Sequence, residues 1–310
     1  MSGVEESDDV TMFCASCGIA AVDAVKLKKC TACYLVRYCS VKCQKEHRPQ
    51  HKRECKKRAA ELRDEVLFKQ PESSHWGDCP ICCLPHTIDA SNLCHMQCCS
   101  KFICNGCDYA NKIRELEGKI QPKCPFCRHK VPESDEEHTR SLMIRVAAND
   151  PAALFQMGVK ICGEGDHDGA FKYYTKAAAL GNISAHFNLS LMYRNGQCIK
   201  KDKKKEIYKF HLEEAAIGGH PIARNNLACQ EEEDGRLDRA VKHWVIAANL
   251  GNDVSLRSLR KFIKKGLVGK EEYTSALCGY QTAVDATKSH QRELAESFKA
   301  MCEEKSSQSE

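Results

Sequence analysis

The apolar pattern of this 310-residue chain changes character along its length. From about Ser141 onward, alanine and leucine recur at helical spacing, and the pattern repeats. Aligning ANDPAALFQMG, LGNISAHFNLS, GGHPIARNNLA and LGNDVSLRSLR puts Asn149, Gly181, Gly219 and Gly251 in one column. Four residues on stand Ala153, Ala185, Ala223 and Ser255, and eight on stand Met157, Leu189, Leu227 and Leu259. The periods are 32, 38 and 32 residues, and the longer middle unit contains the lysine-rich stretch Lys200 to Lys205, predicted to be a lengthened, solvated loop. Alanine pairs (Ala177/Ala178, Ala215/Ala216, Ala247/Ala248) precede the last three columns. Small residues at fixed spacing let helices approach closely, and glycine lets the chain turn into the next pair. A unit of this kind cannot bury its apolar stripe alone, so successive units stack. The pattern therefore predicts an all-α helical-repeat solenoid over residues 141–288, with Tyr173, Tyr174 and Trp244 packed inside it. The polar end of the chain, 289–310, is expected to be a frayed or disordered tail.

Upstream, one stretch reads as a helix by its composition and spacing. KKRAAELRDEVLFKQ carries helix formers throughout, with Leu62, Val66 and Leu67 at near-helical spacing, and Pro71 ends it. Residues 56–78 thus read as helix and linker, and residues 132–140, PESDEEHTR, as a solvated acidic linker. Residues 1–13 read as a disordered lead. Between these, 14–55 and 79–131 read as two modules organised by cysteine.

Seventeen of the chain's 22 cysteines lie between Cys14 and Cys127. They sort into pairs: Cys14/Cys17, Cys30/Cys33, Cys39/Cys43 and His51/Cys55, then Cys79/Cys82, Cys98/Cys99, Cys104/Cys107 and Cys124/Cys127. A C-x2-C turn puts two thiolates on one side of a tight loop, half a tetrahedral site. Sixteen ligands would serve about four Zn²⁺ ions. His47 competes with His51, and Cys94 or His95 with Cys98. Cys83 is spare, and Cys162, Cys198, Cys229, Cys278 and Cys302 have no mutual ligand spacing.

MSGVEESDDV lacks the basic and apolar blocks of a signal peptide, and no apolar run reaches the roughly 18 residues of a membrane span. The expectation is a cytoplasmic or nuclear protein with thiols free for metal rather than disulfides. The formal charge of +5 treats cysteine as neutral. Four zinc sites would shift it to about −2, because an all-cysteine site carries −2 and a three-cysteine, one-histidine site −1. Bulk charge therefore gives no support to nucleic-acid binding, and no membrane partner is expected. Locally, residues 14–69 hold 14 Lys/Arg against 6 Asp/Glu and keep a basic face.

The first cysteine series, with YCSVKCQKEHRPQHKREC, resembles the MYND zinc finger over residues 14–55. That resemblance implies interleaved sites: Cys14, Cys17, Cys39 and Cys43 on one zinc, Cys30, Cys33, His51 and Cys55 on the other. It also implies docking of proline-containing peptides, although Arg48 stands where many members have tryptophan. Nothing resembles the SET methyltransferase domain that many such proteins carry, so methyl transfer is not expected. The second series, CPIC to CPFCR, resembles a RING finger over residues 79–131. Its implied sites are Cys79, Cys82, Cys104, Cys107 and Cys98, Cys99, Cys124, Cys127. A standard RING has Cys-x-His where this chain has adjacent cysteines. The repeats resemble the Sel1-like type, relatives of tetratricopeptide repeats.

Closed four-ligand sites leave no open coordination position, so the zinc is expected to hold shape rather than activate water. The RING resemblance implies an E3 ubiquitin-protein ligase that recruits a ubiquitin-conjugating enzyme through Ile81, Pro125 and Arg128. No residue of this chain would be a nucleophile. The alternative is a non-enzymatic adaptor or scaffold binding protein partners through all three modules.

Overall fold

The computed structural model describes residues 13–21, 26–197 and 204–307. Cys198, residues 200–203 of the lysine-rich stretch and residues 1–12 of the expected lead lie outside them. Two compact units divide the chain, Met1–Lys69 and Gln70–Glu310.

The first unit is small. A two-residue hairpin, β1 (Lys28–Lys29) with β2 (Arg37–Tyr38), precedes one long helix, α1 (Val41–Leu67). Ser40 caps α1 by accepting from the Cys43 N–H at 3.2 Å. The predicted helix over 56–70 is thus the second half of a 27-residue element that begins inside the metal module. Only Cys43, His51 and Leu67 of α1 are buried. Arg58 pairs with Glu61 and Glu65 on its exposed side, at 3.3 and 3.0 Å, where solvent screens the attraction and little stability is gained. A helix this polar has almost no apolar face to attach by, and two of its three buried residues are Cys43 and His51.

In the second unit, hairpin β3 (Leu93–Met96) and β4 (Lys101–Cys104) leads directly into α2 (Asn105–Glu117). The Cys104 sulfur is the N-cap of α2, accepting from the Cys107 N–H. The acidic stretch expected to be a spacer is the start of α3 (Asp135–Ala147). Ser134 caps it, and Asp135, Glu136 and Glu137 occupy its first turn, where the helix dipole favours negative charge. His138 and Arg145 of α3 reach back to Gln97 (2.7 Å) and Ser100 (3.3 Å), so this segment is packed rather than free.

The repeats follow as antiparallel helix pairs: α4 (Pro151–Gly163) with α5 (His167–Ala179), α6 (Ile183–Asn195) with α7 (Lys204–Ile217), and α8 (Pro221–Glu233) with α9 (Leu237–Asn249). A last, degenerate pair is α10 (Asp253–Lys264) with α11 (Lys270–Ala286). Every residue of the first column has positive φ: Asn149 (54°), Gly181 (86°), Gly219 (83°) and Gly251 (90°). The second column is completely buried and the third nearly so, Met157 at 5 % being the most exposed. A feature missed in the sequence lies between them. Asp150, Asn182, His220 and Asn252 each cap the following helix, accepting from the N–H three residues on. Histidine hides this column, because its Nδ1 does at position 220 what a side-chain oxygen does elsewhere.

Tyr174 and Trp244 are interior, at 3 % and 1 % exposure, and Tyr173 packs partly buried against the cluster that holds Tyr174. The expected frayed tail is instead a helix, α12 (His290–Ser307), packed on α2. Its sequence is polar because, among its residues with described side chains, only Arg292 and Ala295 are buried, so it carries little apolar signal.

Candidate metal centres

Four turns share one backbone design. In each, the carbonyl of a first cysteine accepts from the N–H four residues on: Cys14 from Gly18, Cys30 from Tyr34, Cys79 from Cys83, Cys124 from Arg128, at 2.8–2.9 Å. The fourth-on residue has φ between 55° and 73° in all four. This left-handed step folds the loop so that both cysteine side chains point the same way. Cys83, spare in the sequence reading, therefore has a backbone place: it takes the left-handed position of its turn. Arg128 takes the same position in the last turn and is exposed.

The turns converge on four donor groups among the described residues: Cys14, Cys17, Cys39, Cys43; Cys30, Cys33, His51, Cys55; Cys79, Cys82, Cys104, Cys107; and Cys98, Cys99, Cys124, Cys127. Within each group the ligand atoms lie within 4.8 Å of one another. A tetrahedral zinc with Zn–S near 2.3 Å sets sulfurs about 3.8 Å apart. Observed separations are 3.6 Å for Cys17–Cys39, 3.8 Å for Cys30–Cys55, 3.8 Å for both Cys79–Cys107 and Cys82–Cys104, and 3.9 Å for Cys99–Cys124. These distances are far from a disulfide and suit a shared cation.

The electrostatics agree. Burial pushes the Cys14 and Cys30 thiols up, but turn N–H groups, and His51 beside Cys30, outweigh it and hold both at about 6. Their partners are driven the other way. Neighbouring thiols, Cys43 foremost, push Cys39 up to about 12, and burial together with Cys33 and Cys30 pushes Cys55 up to about 12. Four crowded thiolates ionise together only with a cation among them, and a divalent metal that binds sulfur and imidazole fits.

Both histidine and cysteine alternatives have a geometric answer. His51 Nε2 lies 3.2 Å from Cys33 Sγ, whereas His47 Nδ1 lies 3.1 Å from the Tyr38 hydroxyl. The His51 group is the one brought together; His47 stacks outside it. In the fourth group, Cys98 lies 3.3 Å from Cys127. Cys94 pairs with Ile103 on the hairpin, and burial and Asp108 push its thiol up to about 12. His95 packs its ring on Phe102 at 4.8 Å. The adjacent Cys98 and Cys99 both face the group because the hairpin turn absorbs the distortion, with Cys99 N–H on Met96 O and Ser100 at φ 55°. Lys101, where a histidine would stand in a standard RING, lies over the Phe126 ring at 5.6 Å.

Outside the donor groups, Ile81 is 42 % exposed and Pro125 half-buried. A groove of about 450 Å³ beside the second donor group is floored by Tyr38 and Val41 and walled by Lys45, Arg48, Lys52 and Lys56 from α1. At spacings of three and four these cations form one helix face. None of the four pairs with a carboxylate among the described residues.

Comparison with known proteins gives the following. The family model of the MYND finger matches residues 14–55, and that of the Sel1 repeat matches 151–182 and 183–205. Among curated proteins, the SET domain and MYND-type zinc finger protein 6 of Schizosaccharomyces pombe is 37 % identical over 62 residues, covering 20 % of this chain and 12 % of that one. Among solved structures, a Sel1 repeat protein from Oxalobacter formigenes is 25 % identical with a TM-score of 0.42, over 50 % of this chain and 66 % of that one. The protective antigen c5321 of uropathogenic Escherichia coli, which has an SLR fold, is 19 % identical with a TM-score of 0.41, over 58 % and 38 %. The chain thus covers less than two thirds of each of these relatives. It carries a MYND finger followed by an all-helical Sel1-like repeat region, both protein-interaction modules, and its cysteine and histidine groups are compatible with zinc. No helix among the described residues is long and apolar enough to cross a membrane.

Proposed function

We propose that this chain binds four zinc ions, one per donor group, and works as a RING-type E3 ubiquitin-protein ligase whose MYND finger and repeats dock partners. The observation that carries the reading is the interleaving in the second module. The pairs at 79/82 and 104/107 meet, as do those at 98/99 and 124/127, the interleaving that the RING reading calls for. Ile81 and Pro125 would be the apolar dock for a conjugating enzyme. Arg128, presented by its left-handed turn, would offer a planar fork of donors to enzyme and ubiquitin. The chain supplies no nucleophile. Its contribution would be to hold a thioester made elsewhere in a reactive pose.

One observation favours the non-enzymatic adaptor: α12 lies on α2 and on the first cysteine turn, covering part of the surface a RING would present. Autoubiquitination by zinc-loaded protein over a panel of conjugating enzymes separates the two. Activity lost in Ile81→Ala and Arg128→Ala with zinc content unchanged supports the ligase, and silence throughout the panel supports the adaptor. In the MYND finger, the four unpaired cations around an apolar floor favour a proline-containing peptide flanked by acidic residues. The absence of an aromatic at Arg48 shifts recognition from stacking to charge.

A further inference from the structure

We infer that helix α12 is a working part of the second cysteine module, and that Arg292 positions the Cys79/Cys82/Cys104/Cys107 group for metal. The inference rests on the reading of that group as a zinc site. Arg292 is 210 residues from Cys82 in sequence, yet its guanidinium lies against the group. One terminal nitrogen is 3.5 Å from Cys82 Sγ and 3.2 Å from the Leu84 carbonyl. The other donates to the carbonyls of Pro85 and Thr287, both at 2.7 Å. The residue is buried, at 3 % exposure.

The contacts are specific to the metal turn. The Leu84 carbonyl also accepts from Cys79 N–H at 3.0 Å, the bond that closes the turn. Arg292 therefore grips the acceptor that shapes the pair and one of the pair's two sulfurs. An all-cysteine zinc group carries two negative charges beyond the metal. A guanidinium, which keeps its proton under all relevant conditions, offsets part of that charge and orients the thiolate through N–H···S contact. Thr287 ends α11, so the same fork also ties the last repeat helix to the cysteine turn.

The approach is built in from both sides. A Cβ at Gly106, inside Cys104–Cys107, would lie 2.7 Å from the Arg292 backbone nitrogen, so only glycine lets α12 come this close. Tyr109 of α2 packs on Phe298 with ring centroids 5.5 Å apart, and Lys299 reaches Ser91 at 3.2 Å.

The test is chelator-driven zinc release from the full chain, comparing wild type with Arg292→Met and Arg292→Lys. Loss of a group that orients metal ligands weakens metal holding by about 10–100-fold. Arg292→Met, which keeps the stem but no donor, should release one zinc equivalent faster by that factor, the others leaving at the wild-type rate. Arg292→Lys, a point charge that cannot span four acceptors, should fall between. Mapping by thiol alkylation should find Cys82 labelled first. Release unchanged in Arg292→Met, or every zinc accelerated together, overturns the inference. Should Arg292→Met lose its helical signal, Arg292→Lys decides: one accelerated zinc supports the role, and wild-type release refutes it. A wild-type content near two zincs per chain would instead remove the underlying zinc assignment.

Discussion

Gly181 and Gly219 occupy the same column of the repeat and nearly the same backbone conformation, at φ 86° and 83°. Replacing each with alanine should nevertheless give unequal results. An L-residue in the left-handed region costs about 1–2 kcal/mol. A Cβ at Gly181 meets nothing within 4 Å, so Gly181→Ala should cost that amount and no more. At Gly219 the Cβ would stand 2.6 Å from the Ser73 carbonyl oxygen, a backbone atom that cannot swing aside. The segment before the second cysteine module is strapped there. His75 N–H donates to the Gly219 carbonyl at 3.1 Å, and the His75 ring stacks on His220 at 4.1 Å. Forced displacement of a packed segment adds about 1–3 kcal/mol, so Gly219→Ala should cost about 2–5 kcal/mol in all. Urea unfolding read by tryptophan fluorescence measures both. Trp76, which packs on His75 and Phe102, reports the strap, and buried Trp244 reports the repeats. Gly219→Ala should red-shift Trp76 at low urea before Trp244 responds, and Gly181→Ala should not. Equal destabilisation by the two alanines, with no early Trp76 change, would refute the strap.

Metal content should separate the competing ligands: His51→Ala should lose one zinc equivalent by elemental analysis and His47→Ala none, with Cys98→Ser and Cys94→Ser giving the same contrast in the second module. Stability of the second unit should fall as pH drops from about 6.5, the unfolded histidine value, toward about 4. Burial pulls His75 down to about 4 and His243 to about 3, and drives His220 well below its ordinary value. The unfolded chain therefore binds protons that the folded one refuses, so the stability is whole above pH 6.5 and lost below it. His75→Phe, which keeps the stack and removes one of these groups, should make the pH dependence of the urea midpoint shallower.

Much of this protein was legible in one dimension because its determinants are local. A cysteine turn needs only two thiols three apart and a residue able to turn left-handed, and a repeat announces itself by recurring. The columns through Gly181, Ala185 and Leu189 were readable for that reason, as were the cysteine pairs. Which pairs would meet was suggested by family resemblance, since spacing alone allows sequential or interleaved pairing. The capping column escaped because His220 breaks its chemical uniformity. The acidic start of α3 looked like solvated spacer because a helix first turn and a flexible linker favour the same charges.

What only the tertiary structure decided is where single polar residues finish. His47 and His51 differ by one helical turn, and the hairpin carrying Tyr38 takes the first while Cys33 faces the second. Cys94 and Cys98 differ by strand pairing on one side and a left-handed hairpin turn on the other. Arg292 looked like one more charge in a polar tail until α12 folded back over Gly106. Periodicity records apolar burial, which is spread over many residues. A buried arginine or a chosen histidine is a single placement by partners distant in sequence, and it leaves no period to read.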